Sequence, residues 1–318
     1  MKKIVIVFLL LVLVLASPVI IKIYGLQPIV QSDIPSQGNW AQLTQGNLYY
    51  RWDRPLKEND NGETLVLVHG FSTPHFVWDG IKQILLDSGY SVLVYDHFGR
   101  GYSERPAVTY NAELYIESLN ELLGHQKLIE PVHLIGYSMG GAVVSHFAEA
   151  YPQKVKSLSL IAPAGFSSDE SVINSMITLP LIGEWLGYMF VEQMLISDIN
   201  PGEFLNINDP LAISDEDFVL KINKQLRYSG YVEALLSTLR NFNLFNALKS
   251  YEAVGTLNIP TLAIWGTADV VVPYEGVENL IAAIPHTKIV TIDEGGHNIT
   301  YMQPSIVGPA ITDFLISQ

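Results

Sequence analysis

The sequence predicts an α/β fold, a mostly parallel central sheet with helices on both faces and an inserted helical segment. Three observations predict it. Short apolar runs that read as strands, residues 65–69, 91–95, 132–135, 155–162, 260–265 and 288–292, alternate with helical stretches such as 78–86 and 142–150. Strands joined by crossover helices and buried on both faces give this alternation. The rhythm breaks over residues 164–248, where helical runs follow one another with no convincing buried strand. Finally, Gly136-Tyr137-Ser138-Met139-Gly140 stands between an apolar run and a helical run, a G-x-S-x-G pattern in strand–turn–helix context.

Taken in order, Lys2 and Lys3 precede an unbroken apolar run, residues 4–16, which Ser17-Pro18 interrupts before Val19, Ile20 and Ile21 resume it. Read to residue 16, the segment has the charged start and short apolar core of a signal peptide, with Val14-Leu15-Ala16 as an imperfect cleavage site. Read to Ile23, it is about 20 residues long, enough to span a bilayer core at about 1.5 Å per residue. The uncleaved transmembrane anchor over 1–23 is the favoured expectation. The leading lysines place the catalytic domain outside the cytoplasm, or in the secreted or periplasmic fraction if the segment is cleaved.

Residues 24–46, with Pro28, Pro35 and Gly38 among polar neighbours, read as a connecting segment. Residues 47–52 open the core, which is assigned to 47–163 and 249–318, with 164–248 as a helical insertion that the resemblance named below implies is a cap. Asp96 begins Asp96-His97-Phe98-Gly99-Arg100-Gly101-Tyr102-Ser103 after the strand at 91–95. It precedes Ser138 in the chain and would leave Asp269 unexplained, so it reads as a turn stabiliser rather than a catalytic acid.

A serine on a tight strand-to-helix turn needs small neighbours where a Cβ would collide with the next element, and Gly136, Gly140 and Gly141 supply them. Downstream, Gly266-Thr267-Ala268-Asp269 follows one strand and Gly295-Gly296-His297 follows the next. Upstream, the apolar run 65–68 leads into His69-Gly70-Phe71. Serine, then acid, then histidine is the α/β-hydrolase chain order. Over roughly residues 45–318 the chain therefore resembles the α/β-hydrolase superfamily, and it looks most like the serine esterase and lipase branch with a single cap.

The resemblance implies Ser138 as nucleophile, His297 as base and Asp269 as the acid that orients it. By motif position it implies the backbone N–H groups of Phe71 and Met139 as oxyanion donors. Epoxide hydrolases and haloalkane dehalogenases of the superfamily carry aspartate at the elbow, and Ser138 departs from that pattern.

Composition narrows the partners. A net charge of −14 repels nucleic acid and anionic headgroups. The absence of cysteine excludes disulfides and thiolate chemistry. The histidines show no H-x-x-x-H or H-E-x-x-H spacing, and Gly99-Arg100-Gly101 lacks the spaced third glycine of a dinucleotide fingerprint, so neither metal nor organic cofactor is implied.

The expected function is hydrolysis of carboxylic esters with moderately apolar acyl groups, monoacylglycerols among them. Met176, Ile182, Trp185, Met189 and Phe190 are candidate acyl contacts because their segment is among the most apolar after residue 23. A C–C bond hydrolase or an aminopeptidase would use the same triad. The aminopeptidase would need cap acids such as Glu184, Glu192, Asp198 or Glu203 to hold a substrate ammonium. A non-catalytic binding protein on the same scaffold is the reading from another class.

Overall fold

The computed structural model describes residues 2–166, 176–197 and 209–318. Eight strands, β1 (Asn39–Leu43), β2 (Gly46–Asp53), β3 (Thr64–Val68), β4 (Ser91–Tyr95), β5 (Val132–Tyr137), β6 (Val155–Ile161), β7 (Thr261–Gly266) and β8 (Lys288–Ile292), form one sheet. Their order is β1-β2-β4-β3-β5-β6-β7-β8. β2 pairs antiparallel with β1 and with β4, and every later pairing is parallel. Every residue of β4, β5 and β7 is buried, so both faces of the central sheet are covered. The near-continuous apolar runs seen in the sequence have this cause.

The helices against the sheet fall into two packed groups. α2 (Asp79–Asp87) lies against α11 (Pro304–Ile316), while α3 (Ala112–His125), α4 (Met139–Ala150), α8 (Leu248–Leu257) and α9 (Gly276–Ala283) pack in a row. Trp78, Trp265 and Phe147 are fully buried between sheet and helices. The short α10 (Ile299–Met302) follows the His297 loop.

Between β6 and β7 the described residues hold α5 (Ile182–Ser197), α6 (Asp215–Gln225) and α7 (Tyr231–Asn241) ahead of α8, and no strand. α6 begins with Ser214, whose side chain accepts the N–H of Asp217, and acids fill its first turn, where they complement the helix dipole.

Two features depart from the sequence reading. Asn39–Leu43, expected within a connecting segment, is the edge strand β1, paired with β2 from Asn39↔Tyr50 to Leu43↔Gly46. Only Ala41 of its five residues is buried, so it lacks the apolar run that marked the other strands.

The first residues form α1 (Lys2–Tyr24), with Pro18 inside it, and α1 packs on α5. The Trp185 indole N–H donates to the Leu15 carbonyl at 2.8 Å, and Lys22 Nζ donates to the Tyr188 carbonyl at 2.8 Å. Gln27 then pairs with the backbone before α7, donating to Arg227 O at 3.1 Å and accepting from Ser229 N at 2.9 Å. Among the described residues no helix is long and apolar enough to cross a membrane. The side chains at positions 7–9, 11 and 12 of α1 lie outside those residues.

Candidate active site

The carboxyl ends of the parallel strands deliver every triad and oxyanion candidate to one edge, the usual place for a site in an open α/β sheet. Gly136 of β5 is in register with Val68 of β3 and with Leu160 of β6. The segment after β3, His69-Gly70-Phe71, therefore lies beside the turn after β5.

That turn holds Ser138 at φ 54° and ψ −119°, a conformation that costs a non-glycine residue on the order of 1–3 kcal/mol. Its surroundings hold it there. Ser138 N donates to Ile161 O at 2.9 Å, and its carbonyl accepts from Gly141 N at 2.9 Å and Ala164 N at 3.0 Å. A Cβ on Gly140 would lie 2.0 Å from Val68 O, and one on Gly136 would lie 2.4 Å from Gly140 O. Both obstacles are backbone, so neither can move aside. The small neighbours anticipated from the sequence are required by β3 and by the first turn of α4.

Asp269 and His297 follow β7 and β8. Their loops are stitched together by Thr267 N to Ile292 O at 3.0 Å and Ala268 N to Gly295 O at 2.9 Å. Asp269 Oδ1 accepts the N–H groups of Val271 at 2.9 Å and Val272 at 2.8 Å, which leaves Oδ2 for His297 Nδ1 at 2.8 Å. Because the carboxylate only accepts, the imidazole carries its proton on Nδ1. Nε2 is then free to accept from Ser138 Oγ, 2.9 Å away. Ser138 and His297 stand 159 residues apart in the chain. The three residues form one hydrogen-bonded series able to draw the proton from a serine hydroxyl.

Met139 opens α4, where the first N–H groups have no intrahelical acceptor. The N–H of Phe71 has no acceptor among the described residues. Gly70, whose carbonyl shares a peptide plane with that N–H, is held by His69 Nδ1 at 2.8 Å. In a trans peptide the two groups point in opposite directions, so anchoring the oxygen aims the N–H. His69 is fully buried, and burial lowers its pKa to about 4, so it is neutral.

Asp96 is a turn residue, as expected. Oδ2 accepts Tyr102 N at 2.9 Å, and Oδ1 accepts both His75 N and His75 Nδ1 at 2.8 Å. Burial acts to raise its pKa, yet the His75 partner prevails and holds it at about 2.

The apolar candidates are less concentrated. Trp185 is committed to Leu15 of α1 and packs its ring on Phe190 at 6.0 Å. Met176, Ile182 and Phe190 are 46%, 45% and 44% exposed. None of these, nor Met189, lines either of two cavities of about 420 and 240 Å³ found beside α3 and beside α6.

A doubly covered parallel sheet with an elbow serine, an acid and a histidine at its carboxyl edge defines an α/β-hydrolase. A family model described as serine aminopeptidase, S33, matches residues 59–302, and the chain belongs to that family. It is 30% identical to lipase 3 of Moraxella sp. (strain TA144) over 259 residues, covering 76% of this chain and 74% of the relative. It is 23% identical to a human monoacylglycerol lipase over 266 residues, 80% and 75% of the two chains. Among solved structures, a bacterial membrane phospholipase A superposes with a TM-score of 0.67 at 20% identity, over 100% of this chain and 99% of that one. At that identity the likeness is one of fold.

Proposed function

We propose that the chain is a serine hydrolase cleaving carboxylic esters of moderately apolar acyl groups through an acyl-enzyme, in the manner of an esterase or monoacylglycerol lipase. The observation that carries this reading is the Asp269–His297–Ser138 hydrogen-bonded series ending on a strained, forced elbow. His297 takes the Ser138 proton as Oγ attacks the carbonyl carbon, and Asp269 stabilises the resulting imidazolium. The negative oxygen of the tetrahedral intermediate is received by Phe71 N–H and Met139 N–H, fixed donors that need no reorganisation. His297 then protonates the leaving alcohol and activates water for the second half-reaction.

The likeness to the two lipases supports an ester substrate. The aminopeptidase alternative loses one of its acids. Glu184 accepts Arg240 Nη1 at 2.6 Å through one oxygen and Leu181 N at 2.6 Å through the other, so its charge is already matched by a cation of the chain. Glu192 is exposed, and Asp198 and Glu203 lie outside the described residues.

The inserted helices serve as the cap, and α1 as the membrane anchor. A helix of 23 residues reaches about 35 Å, the length of a bilayer core, and the apolar run 4–16 of the sequence includes the side chains at 7–9, 11 and 12 that lie outside the described residues. Its Ile4, Val5, Ile6, Leu10, Leu13, Val14 and Leu15 are all exposed in the chain alone, an apolar surface of the kind that lipid covers. Labelling by a fluorophosphonate, lost in Ser138→Ala, tests the nucleophile. A panel of p-nitrophenyl esters, monoacylglycerols and aminoacyl amides tests the substrate class. Preference for the amides, or no labelling of the wild type, would overturn the reading.

A further inference from the structure

Arg100 is fully buried, and among the described residues no carboxylate lies within ion-pairing distance of it. A buried cation without a counter-charge is expensive and must find its compensation in hydrogen bonds and ring faces. Its Nε donates to the carbonyl of Phe71 at 2.9 Å, and its Nη2 donates to Thr238 Oγ1 of α7 at 2.9 Å. The guanidinium carbon lies 5.4 Å from the Phe71 ring centre and 5.9 and 6.0 Å from those of Tyr110 and Tyr115. Thr238 is held in turn by Tyr115 OH at 2.6 Å and by the Ala234 carbonyl at 2.7 Å.

The next carbonyl along the loop is gripped as well. Ser72 O accepts Gln225 Nε2, at the end of α6, at 3.0 Å, and Tyr231 OH, at the start of α7, at 2.9 Å. Together with His69 on Gly70 O, three consecutive peptide planes around Phe71 are anchored by their oxygens. One anchor is local to the core. The others reach the inserted helices, two directly and one through Arg100 and Thr238.

We propose that Arg100, Gln225, Tyr231 and Thr238 are positioning residues for the oxyanion hole, through which the inserted helices α6 and α7 fix the two carbonyls that follow the Phe71 N–H and so hold the loop that carries it, while His69 aims the Gly70 plane itself. The proposal rests on the reading of Phe71 as an oxyanion donor. These helices are then not merely a cover over the acyl site. A displacement of α7 would release two adjacent carbonyls of the oxyanion loop and weaken transition-state binding while leaving the Ser138–His297 contact intact.

Arg100 variants leave buried partners unsatisfied and endanger folding, so the test uses Tyr231→Phe and Thr238→Val, each of which removes one hydroxyl and keeps the side-chain shape. On p-nitrophenyl butyrate, with active sites counted by fluorophosphonate titration, kcat should fall about three- to tenfold in each while KM changes less than about twofold. Inhibition by an alkyl trifluoromethyl ketone, which forms the oxyanion on Ser138, should weaken by the same factor. Thr238→Ser, which restores the hydroxyl, should recover most of the loss. Amide hydrogen exchange over residues 69–77 should accelerate in both variants while β5 and β7 keep wild-type rates.

Unchanged exchange over 69–77 overturns the grip. Faster exchange with unchanged kcat overturns its catalytic meaning. An unlabelled wild type without ester turnover would instead sink the serine hydrolase reading, and the exchange comparison would still decide whether α6 and α7 hold the loop.

Discussion

His69 accepts the backbone N–H of His97 at Nε2, 2.9 Å, and so keeps its proton on Nδ1, where it holds the Gly70 carbonyl. Protonation of Nε2 would break the bond to His97 and put a charge in a fully buried site. Burial depresses the folded-state pKa to about 4, below the unfolded value of about 6.5. Between these values the unfolded chain binds the extra proton, so stability is lost as pH falls. His97 adds to the same trend, its pKa also lowered by burial.

The expected outcome is a melting temperature that declines from pH 7 to pH 5, with His69 alone contributing on the order of 2 kcal/mol by pH 5. Asp96 acts in a lower window. Held at about 2 against an unfolded value of about 3.9, it stabilises above that range and stops doing so as pH falls through it. Differential scanning fluorimetry across pH 3–8 checks both. A flat melting temperature between pH 7 and 5 would contradict the neutral, buried His69, and His69→Asn should flatten the slope.

Ser138→Ala and His297→Ala should each lower ester turnover by at least about 10³-fold, and the double variant should cost little more, because nucleophile and base act as one unit. Asp269→Asn should cost somewhat less. The Val271 and Val272 N–H groups would still orient the side chain through its remaining carbonyl oxygen, but the amide would no longer stabilise an imidazolium. Steady-state kinetics on p-nitrophenyl butyrate measures all four variants, and a Ser138→Ala enzyme within tenfold of wild type removes the elbow assignment.

The elbow was legible because its constraint is local. A strained serine between packed backbones admits only glycine at positions 136 and 140, and that requirement is written into five consecutive residues. Asp269 and His297 were legible by their place after strands whose apolar runs are unmistakable. β1 was hidden because Asn39–Leu43 buries only Ala41 and is specified by its pairing with β2. Arg100 was hidden for a different reason. Nothing in the string Gly99-Arg100-Gly101 states that its guanidinium runs to a threonine 138 positions later. The contact of Trp185 with Leu15 is of the same kind, a bond to a carbonyl, which carries no sequence signature.

If α1 anchors the chain, the intact protein should sediment with membranes and resist carbonate extraction, with residues 39–318 accessible to protease only from the non-cytoplasmic side. Removal of residues 1–24 should release a folded, active domain. It should also relax α5, since the Trp185 indole would lose the Leu15 carbonyl and the Tyr188 carbonyl would lose Lys22. Intact protein in the soluble cytosolic fraction contradicts the anchor, and a mature first residue at Ser17 leaves export standing without it.

Substrate length provides the remaining test, and Trp185 sharpens it. Each acyl methylene taken up by an apolar cap should gain up to about 0.8 kcal/mol, or about fourfold in kcat/KM, until the pocket ends. Efficiency should thus rise from acetyl to medium-chain esters and then level or fall. Substrates charged near the scissile carbonyl should be poor, because desolvating the charge without a partner is unfavourable. Trp185→Ala should leave the chain-length optimum in place, since its indole is bonded to α1 at Leu15. Ile182→Ala and Met189→Ala, on the same helix and without a side-chain bond to α1, are the variants that should shift it. If acetyl esters outperform hexanoyl and octanoyl esters, α5 contributes packing rather than acyl recognition, and the apolar-acyl part of the proposed function falls while the Ser138 chemistry stands.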